Sequence, residues 1–218
     1  MVLPMEKAPI VHVIDDDPSI RKSIEALLRS VNIPVHSFES PRAFLDSAVA
    51  DLTGCLLLDV RLPGVSGLDF QSQLESLGIG LPVIMMTAHG DIPMSVRAMK
   101  AGAVDFLPKP FRDQDLIDAV YQAFETDRLA TAVRIEVAEI ELRYATLSVR
   151  EQQVMSLVTR GKLNKQAAFE LGLSEITVKI HRASAMRKME ARTLADFVKI
   201  SERLAGAMKR HPEMSSLR

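Results

Sequence analysis

Five polar residues, Asp15, Asp16, Asp59, Thr87 and Lys109, each follow a short apolar run of the chain. Such runs, bounded by turn residues, are typical of buried parallel strands. Ligands of an open parallel sheet bind outside the carboxyl ends of its strands, so these five side chains are expected to converge in one crevice. The chemistry they suit there is phosphoryl transfer.

Three carboxylates in one crevice repel one another unless a hard divalent cation lies among them, and Mg²⁺ is the expected ion. Asp59 alone ends the central apolar run and precedes a loop with glycines, 61–67, which leaves its carboxylate open to a phosphodonor. Asp59 is therefore the candidate nucleophile. Lys109 can neutralise one phosphoryl oxygen, and Thr87 can donate a hydrogen bond to another.

Residues 10 to about 125 resemble the receiver domain of two-component response regulators. The resemblance rests on the acidic pair, Asp59 with Leu62-Pro-Gly64 and Gly67, Thr87-Ala88, and Lys109-Pro110. The stretch 87–103 is similar to the FixJ-like subgroup.

The receiver resemblance implies that a sensor histidine kinase phosphorylates Asp59. It also implies that Asp16 and Asp59 hold Mg²⁺, with Asp15 as the other member of the acidic pair. Thr87 would move toward the phosphoryl group and Phe106 would turn inward behind it, which would remodel the helix 92–100.

Other interpretations of these aspartates are weaker. A lone aspartate at a strand end is most often a turn former or a helix cap, and Asp17-Pro18 indicates an N-cap and a first helical residue. Phosphatases of the haloacid dehalogenase type also use a strand-end aspartate. Their motif is Asp-x-Asp-x-Thr, whereas this chain has Asp15-Asp-Asp-Pro-Ser19.

Composition indicates a soluble protein of two domains. The chain has 218 residues, 47% hydrophobic and 25% charged, which is ordinary for globular proteins. No apolar stretch reaches the length of a membrane span and residues 1–7 lack a signal peptide's apolar core, so we expect a cytoplasmic protein. The single cysteine, Cys55, is expected to be a buried core thiol.

The charge is distributed unevenly. Residues 148–218 contain 14 Lys+Arg against 7 Asp+Glu, whereas residues 1–147 contain 13 against 21. A basic carboxyl-terminal part favours nucleic acid as its partner.

Strand and helix patterns alternate as far as residue 124, with a further strand at 35–38. Helices are indicated at 18–31, 41–49, 67–77, 92–100 and from 113 onward. This repeat predicts a doubly wound, five-stranded parallel sheet of the flavodoxin-like type, with helices on both faces.

No glycine or proline occurs at 111–160, so a long linking helix is expected. An apolar heptad runs along it: Leu116, Ala119, Ala123, Thr126, Ala130, Val133, Val137, Ile140, Tyr144 and Leu147. The heptad fits either pairing in a coiled coil or packing on the same chain, and both alternatives stay open.

The basic part predicts a helix-turn-helix. Ser148 and Glu151 form a capping box that begins a helix running to position 159. Asn164 can cap a second helix, Gly172 makes a tight turn, and Ser174 caps a third helix through about position 189.

Residues 147–188 resemble the LuxR-type DNA-binding domain. The resemblance implies that Lys179, Ile180 and Ala183 face base edges. The expected phosphate contacts are Lys165, Thr177, His181, Arg182 and Arg187. Two positions depart from the family pattern. Glu190 replaces a glycine that ends the recognition helix, and Ala167 replaces a larger aliphatic whose space Phe169 is expected to fill.

These features predict a response regulator of the FixJ/NarL-like family. Its expected parts are a receiver (1–124), a helical linker (125–146) and a DNA-binding domain (147–218). Phosphorylation would control homodimerisation and binding to a two-fold symmetric DNA site, with RNA polymerase as a further candidate partner and no membrane partner. The alternatives are a constitutive DNA-binding protein with a non-signalling receiver, and an enzymatic output. The carboxyl-terminal half lacks a catalytic constellation, so an enzyme is not expected.

Overall fold

The computed structural model describes residues 8–47, 52–88 and 92–210. The chain divides into two compact units, Met1–Ala130 and Thr131–Arg218. The division lies a few residues from the predicted end of the first domain.

The first unit is built on a parallel sheet of five strands in the order β2-β1-β3-β4-β5. The strands are β1 (Ile10–Ile14), β2 (Val35–Phe38), β3 (Gly54–Asp59), β4 (Val83–Thr87) and β5 (Ala103–Pro108). This confirms the predicted fold. The register places Asp59 opposite Met86, and Thr87 opposite Pro108. The carboxyl ends of the central strands therefore lie at one edge.

Helices cover both faces of this sheet: α1 (Pro18–Ser30), α2 (Pro41–Asp46), α3 (Gly67–Gln73), α4 (Ile92–Lys100) and α5 (Asp113–Ala145). Successive β3 residues alternate between two cores. Leu56 and Leu58 pack in the core that includes α2, α3 and α4, whereas Cys55 and Leu57 pack in the core that includes α1 and α5. A β3 buried on both faces explains why its sequence is continuously apolar.

Two helices are shorter than predicted. α3 ends at Gln73 rather than at position 77, because the chain tightens into turns in which Gly78 N–H donates to Glu75 and Ile79 N–H donates to Leu74. α2 ends at Asp46. The rest of its predicted range includes positions 48 and 49, which lie outside the described residues.

α5 is the predicted long helix, with 33 residues. The apolar heptad residues along it do not form one continuous buried stripe. Leu116 and Ala123 are buried in the first unit, and Ile140 is buried in the second. Val133, between them, is exposed. Each end of the stripe thus packs on its own unit.

The second unit is helical: α6 (Val149–Thr159), α7 (Asn164–Leu171), α8 (Glu175–Lys188) and α9 (Leu194–Arg210). The Ser148–Glu151 capping box and the Ser174 cap are as predicted. α9 was not predicted; it brings Phe197 into the core. Among the described residues, no helix combines the length and the apolarity that a bilayer crossing requires.

Three expectations about local structure in this unit need correction or completion. Asn164 does not cap α7. It is the first helical residue, Leu163 is the N-cap, and the Asn164 side chain instead accepts from Arg182. Phe169 does not fill space beside Ala167: Ala167 is fully buried and Phe169 is 89% exposed, because residues two apart on a helix point to different sides. Glu190 adopts the left-handed conformation (φ 56°) that a glycine would favour there.

His12 is a polar side chain inside the first unit. It is buried on β1, with its ring 5.7 Å from Phe44, 6.4 Å from Phe38 and 6.0 Å from His36. Among the described residues, neither ring nitrogen has a hydrogen-bond partner. Burial lowers the pKa of His12 to about 4, and the neighbouring His36 adds to this; the Thr53 backbone opposes it.

The sheet should therefore lose stability in mild acid. The folded protein holds His12 neutral, so the contribution of His12 to the free energy of unfolding is complete above about pH 6.5, its pKa in the unfolded chain. That contribution disappears as the pH falls toward 4. His12→Leu should remove about 2–3 kcal/mol of the stability difference between pH 7 and pH 4.5. Urea unfolding followed by circular dichroism measures it. His36→Gln, at an exposed position, should keep most of the difference. An unchanged pH dependence in His12→Leu would contradict the prediction.

Candidate functional site

The predicted acidic residues come together at the carboxyl edge of the sheet. One carboxylate oxygen from each of Asp15, Asp16 and Asp59 lies within 4.8 Å of the other two. Asp59 ends β3, the central strand, and Asp15 and Asp16 follow β1 beside it. Asp15 and Asp59 are buried, while Asp16 is exposed. The parallel strands thus create the crevice that the spacing predicted.

Lys109 joins this cluster from β5. Its Nζ donates to Asp15 Oδ2 at 2.6 Å and lies 3.1 Å from Asp59 Oδ1. Its backbone N–H donates to the Thr87 carbonyl at 2.7 Å, which fixes the β5 end against β4. Thr87 is fully buried at the end of β4. All five predicted residues therefore lie along one edge of the sheet.

The electrostatics of Asp59 reflect these neighbours. Burial raises the pKa of the Asp59 carboxyl above its ordinary value, Lys109 opposes this, and Asp15 and Asp16 add to it. The ammonium of Lys109 is thus the contact that favours the charged form of Asp59 in a crowded acidic site.

Backbone contacts that the sequence did not reveal hold the acidic pair in place. Arg21 of α1 donates through Nη1 to the carbonyl of Asp15 at 2.6 Å and to that of Asp16 at 3.0 Å. The other carboxylate oxygen of Asp15 accepts from Asp17 N–H at 3.0 Å. Arg21 thereby satisfies the carbonyls of the loop and does not occupy the carboxylates, of which Asp15 accepts from Lys109 and from Asp17 N–H. No spacing rule distinguishes it from other helix arginines.

Gly67 explains how the loop after Asp59 can turn back so closely. A Cβ at position 67 would lie 2.1 Å from the Asp59 carbonyl oxygen, a distance that real Cβ atoms do not reach. Gly67 N–H donates to the Val60 carbonyl at 2.9 Å. Only glycine permits this approach, so α3 begins directly against the end of β3.

The donor set fits a hard divalent cation. Three carboxylates converge, and oxygen is the ligand type that Mg²⁺ takes in proteins. Among the described residues, the ammonium of Lys109 pairs with Asp15 and Asp59, and the guanidinium of Arg21 bonds to the carbonyls behind them. Three carboxylates against these two cationic groups leave an excess of negative charge that attracts a cation.

Gln71 connects the helix after Asp59 to α4. It is buried on α3, and its Nε2 donates to the carbonyls of Ala98 at 3.3 Å and Ala101 at 3.1 Å, at the end of α4. Its Oε1 has no partner among the described residues. Sequence reasoning missed Gln71, although its spacing of three from Leu68 and from Leu74 places it on the apolar face of α3.

The predicted DNA-contacting residues divide between two faces of α8. Lys179, Ile180, Ala183 and Arg187 are exposed, and their spacings of one, three and four place them on one helical face. Thr177, His181 and Arg182 are only partly exposed. Thr177 is tied to the Ser174 cap, with hydroxyl oxygens 2.8 Å apart, and Arg182 donates to Asn164 at 3.3 Å. The structure does not bring these three onto the exposed face.

An ion pair between the partly exposed Lys188 and the buried Glu151 holds α8 against α6. Lys188 Nζ donates to Glu151 Oε2 at 2.7 Å and to the Thr146 carbonyl at 3.1 Å. Desolvation raises the pKa of Glu151, but hydrogen bonds from Lys188 and two serines outweigh it and lower the pKa to about 2. Lys165, in contrast, is exposed on α7 beside Phe169.

Comparison with known protein families gives two matches, one in each part of the chain. Residues 11–121 match the response regulator receiver domain family. Residues 145–201 match the bacterial regulatory proteins of the luxR family.

Proteins similar along nearly the whole chain combine both parts. Nodulation protein W of Bradyrhizobium diazoefficiens is 54% identical over 208 residues, which are 95% of this chain and 91% of that protein. The structure of the response regulator StyR is 45% identical and covers 90% of this chain and 100% of its own, with a TM-score of 0.73. Full-length FixJ from B. japonicum is 37% identical and covers 91% and 98%, with a TM-score of 0.55.

Fold, acidic crevice and helix-turn-helix together define a regulator that joins a receiver to a DNA-binding domain. The chain belongs to the two-component response regulators with a LuxR-type output domain. Regulators of this family control transcription, and phosphorylation of a receiver aspartate by a histidine kinase is their typical mechanism.

Gln71→Met should loosen the end of α4. The substitution removes two donors to helix-terminal carbonyls, each hydrogen bond contributing about 1 kcal/mol. Amides 100–102 should lose up to roughly thirty-fold of their protection from hydrogen exchange, the factor that about 2 kcal/mol gives, while those of β3 keep theirs. Gln73→Met, at an exposed position of the same helix, is the control. Equal protection in both variants would show that Gln71 does not hold α4.

Proposed function

We propose that Asp59 is the phosphoryl acceptor of this regulator and that its modification controls pairing of two copies and DNA binding by α8. The observation that carries the proposal is the Asp59 carboxylate at the end of the central strand, 3.1 Å from Lys109 Nζ. The matched ranges 11–121 and 145–201 support a receiver at 1–124, a linker at 125–146 and a DNA-binding domain at 147–218.

The transfer itself needs little from the protein besides position and charge. An Asp59 oxygen bonds to phosphorus while the bond between phosphorus and the kinase histidine breaks. Lys109 is placed to pair with a phosphoryl oxygen as the Asp59 charge becomes part of an acyl phosphate. Asp15, at 2.6 Å, keeps the ammonium in that position.

Mg²⁺ is the proposed cofactor, held by Asp16 and Asp59 together with Asp15. When bound, it would supply positive charge that offsets the phosphoryl oxygens and the carboxylates. The convergence of the three carboxylates within 4.8 Å supports this assignment.

The proposed signal leaves the crevice through β4 and β5. Thr87 would move toward the phosphoryl oxygens, and Phe106 would turn into the space behind it. Phe106 is partly buried against the core that includes α4, so its movement would change the packing of that helix. A local charge change would in this way bias a packed element.

The proposed dimer surface comprises α4, β5 and the start of α5. Ile92, Val96 and Met99 are exposed on α4 at spacings of four and three, which forms an apolar stripe of the kind that marks an interface. Arg97 and Lys100 are exposed beside it. The acidic partners proposed across the interface are Asp113, Asp115 and Asp118. Asp115 already pairs with Arg112 at 2.6 Å, which favours Asp113 and Asp118.

An isologous contact on this surface would present two copies of α8 to a two-fold symmetric DNA site. The excess of Lys and Arg in residues 148–218 supports DNA as the partner. RNA polymerase remains a proposed further partner of a transcription regulator.

Asp59→Asn should abolish labelling by a radiolabelled small phosphodonor, because the amide cannot form the acyl phosphate. Asp16→Ala should also abolish the reaction and leave folding intact, since Mg²⁺ would lose a ligand. Asp69→Asn, on the exposed side of α3, should label like the parent. Persistent labelling of Asp59→Asn would move the acceptor elsewhere. DNA binding that is equal in the phosphorylated parent and in Asp59→Asn would favour a constitutive DNA-binding protein.

Arg97→Glu should weaken dimerisation of the phosphorylated protein by roughly five- to ten-fold, because it reverses a charge facing acidic groups of the second copy. Sedimentation velocity at moderate salt measures the dimer fraction. Arg42→Glu, a charge reversal at another exposed position, on α2, is the control, and Asp118→Arg combined with Arg97→Glu should restore pairing. If Arg97→Glu left the dimer unchanged, another surface would carry it.

A further inference from the structure

The exposed face of α8 contains a residue that the family resemblance did not assign. Ile176 lies three and four positions before Lys179 and Ile180, and is thus on the face that also presents Ala183 and Arg187. Val178 and Ala185, on the opposite side, are fully buried. Ile176 is therefore part of the same surface as the proposed base-reading residues.

Two exposed isoleucines occupy the amino-terminal half of this face, on either side of Lys179, which is unusual for a solvent-exposed helix surface. Ile176 is 71% exposed and Ile180 is 62% exposed, one turn apart. By contrast, Ile140 is buried in the core of the same unit and Ile200 packs against it. Apolar side chains cannot bind phosphates, so this pair suits a different part of the nucleic acid.

The major groove offers one prominent apolar group, the C5 methyl of thymine. A side chain at the second position of a recognition helix reaches base edges, since the amino-terminal residues of that helix enter the groove. Ile176 occupies that position in α8, which begins at Glu175. One helical turn rises about 5 Å, so Ile180 would lie one to two base steps from it.

The neighbours on this face favour the same interpretation. Ala183 is small, which lets the helix backbone approach the bases closely. Lys179 Nζ lies 3.4 Å from Glu175 Oε1, one helical turn earlier. The ammonium of Lys179 is therefore turned toward Glu175 and is separate from the two isoleucines. Polar and apolar readout would thus use different side chains.

We infer that Ile176 and Ile180 together read the methyl groups of two thymines in each half-site, an inference that rests on the proposed binding of DNA by α8. Ile176 is a specificity-determining residue of this regulator, and the preferred site contains thymines at two positions spaced by one or two base steps. A protein partner on the same face would predict no dependence on these methyl groups.

The test replaces individual thymines by deoxyuridine, which removes only the methyl group. A preferred duplex is first selected from random DNA with the full-length protein, treated with a phosphodonor and also untreated. Each thymine of one half-site is then replaced in turn, and affinities are measured at fixed salt. Two replacements should weaken binding about four-fold each, the effect of one buried methyl.

The variants assign each methyl to a side chain. Ile176→Ala should lose the sensitivity to one replacement and keep the other, and Ile180→Ala should show the reverse. Lys179→Ala should remain sensitive to both while losing discrimination at another base pair, and Lys165→Ala should weaken all duplexes alike. Val149→Ala, an exposed apolar position of α6, should match the parent.

Three results would overturn the inference. Binding of the parent protein could be indifferent to every deoxyuridine, or both isoleucine variants could keep the full sensitivity of the parent. In either case DNA binding itself would stand and only the thymine readout would fail. Failure to select any duplex, with or without phosphodonor, would instead reject DNA binding by α8 together with this inference.

Discussion

The contact between Lys109 and two buried aspartates is the interaction on which the first unit depends. Asp15, Asp16 and Asp59 are brought together because parallel strands end at one edge. Their mutual repulsion must be offset locally, and Lys109 does so at 2.6 and 3.1 Å. A site held in this way is compact and carries excess negative charge. In the proposed function, a divalent cation would offset that charge, and a phosphoryl group on Asp59 would change the charge balance again.

The contacts around this charge cluster differ between the acidic crevice and α4, the helix proposed to respond to phosphorylation. Arg21 and Gly67 fix the backbone around the acidic residues by hydrogen bonds and close packing. α4 is held differently. Backbone N–H groups of Ala101 and Gly102 close its last turn, and the Gln71 side chain adds hydrogen bonds to the Ala98 and Ala101 carbonyls. The helix proposed to respond is thus joined to α3 through one polar side chain, whereas the site proposed to receive the phosphate is held by several elements.

In the second unit, an ion pair between a partly exposed lysine and a buried glutamate joins two helices. Glu151 caps α6 and accepts from Lys188 of α8, so the recognition helix is attached to the scaffold. Removing Lys188 would leave the buried Glu151 carboxylate without its cation, which is more costly than losing both partners. This attachment keeps the inner side of α8 fixed. The outer side of α8 leaves five side chains exposed: Ile176, Lys179, Ile180, Ala183 and Arg187. In the proposed function these side chains face DNA, and their types would decide which bases are read.

The sequence by itself determined the five strands and the acidic crevice with Lys109 and Thr87, because strand patterns are local and the ends of parallel strands must meet. It also determined the caps of α6 and α8 at Ser148 and Ser174, but it misplaced the cap of α7 at Asn164. It did not reveal Gln71, Arg21 or the buried state of His12, since their partners lie far along the chain or are backbone atoms placed by the sheet. The exposure of Phe169 and Ile176 was likewise decided by tertiary structure. A sequence pattern indicates that a helix has an apolar side, but which apolar residues are covered depends on the neighbours that pack against it. In α7 and α8 those neighbours cover Ala167 and Val178 and leave Phe169 and Ile176 in solvent.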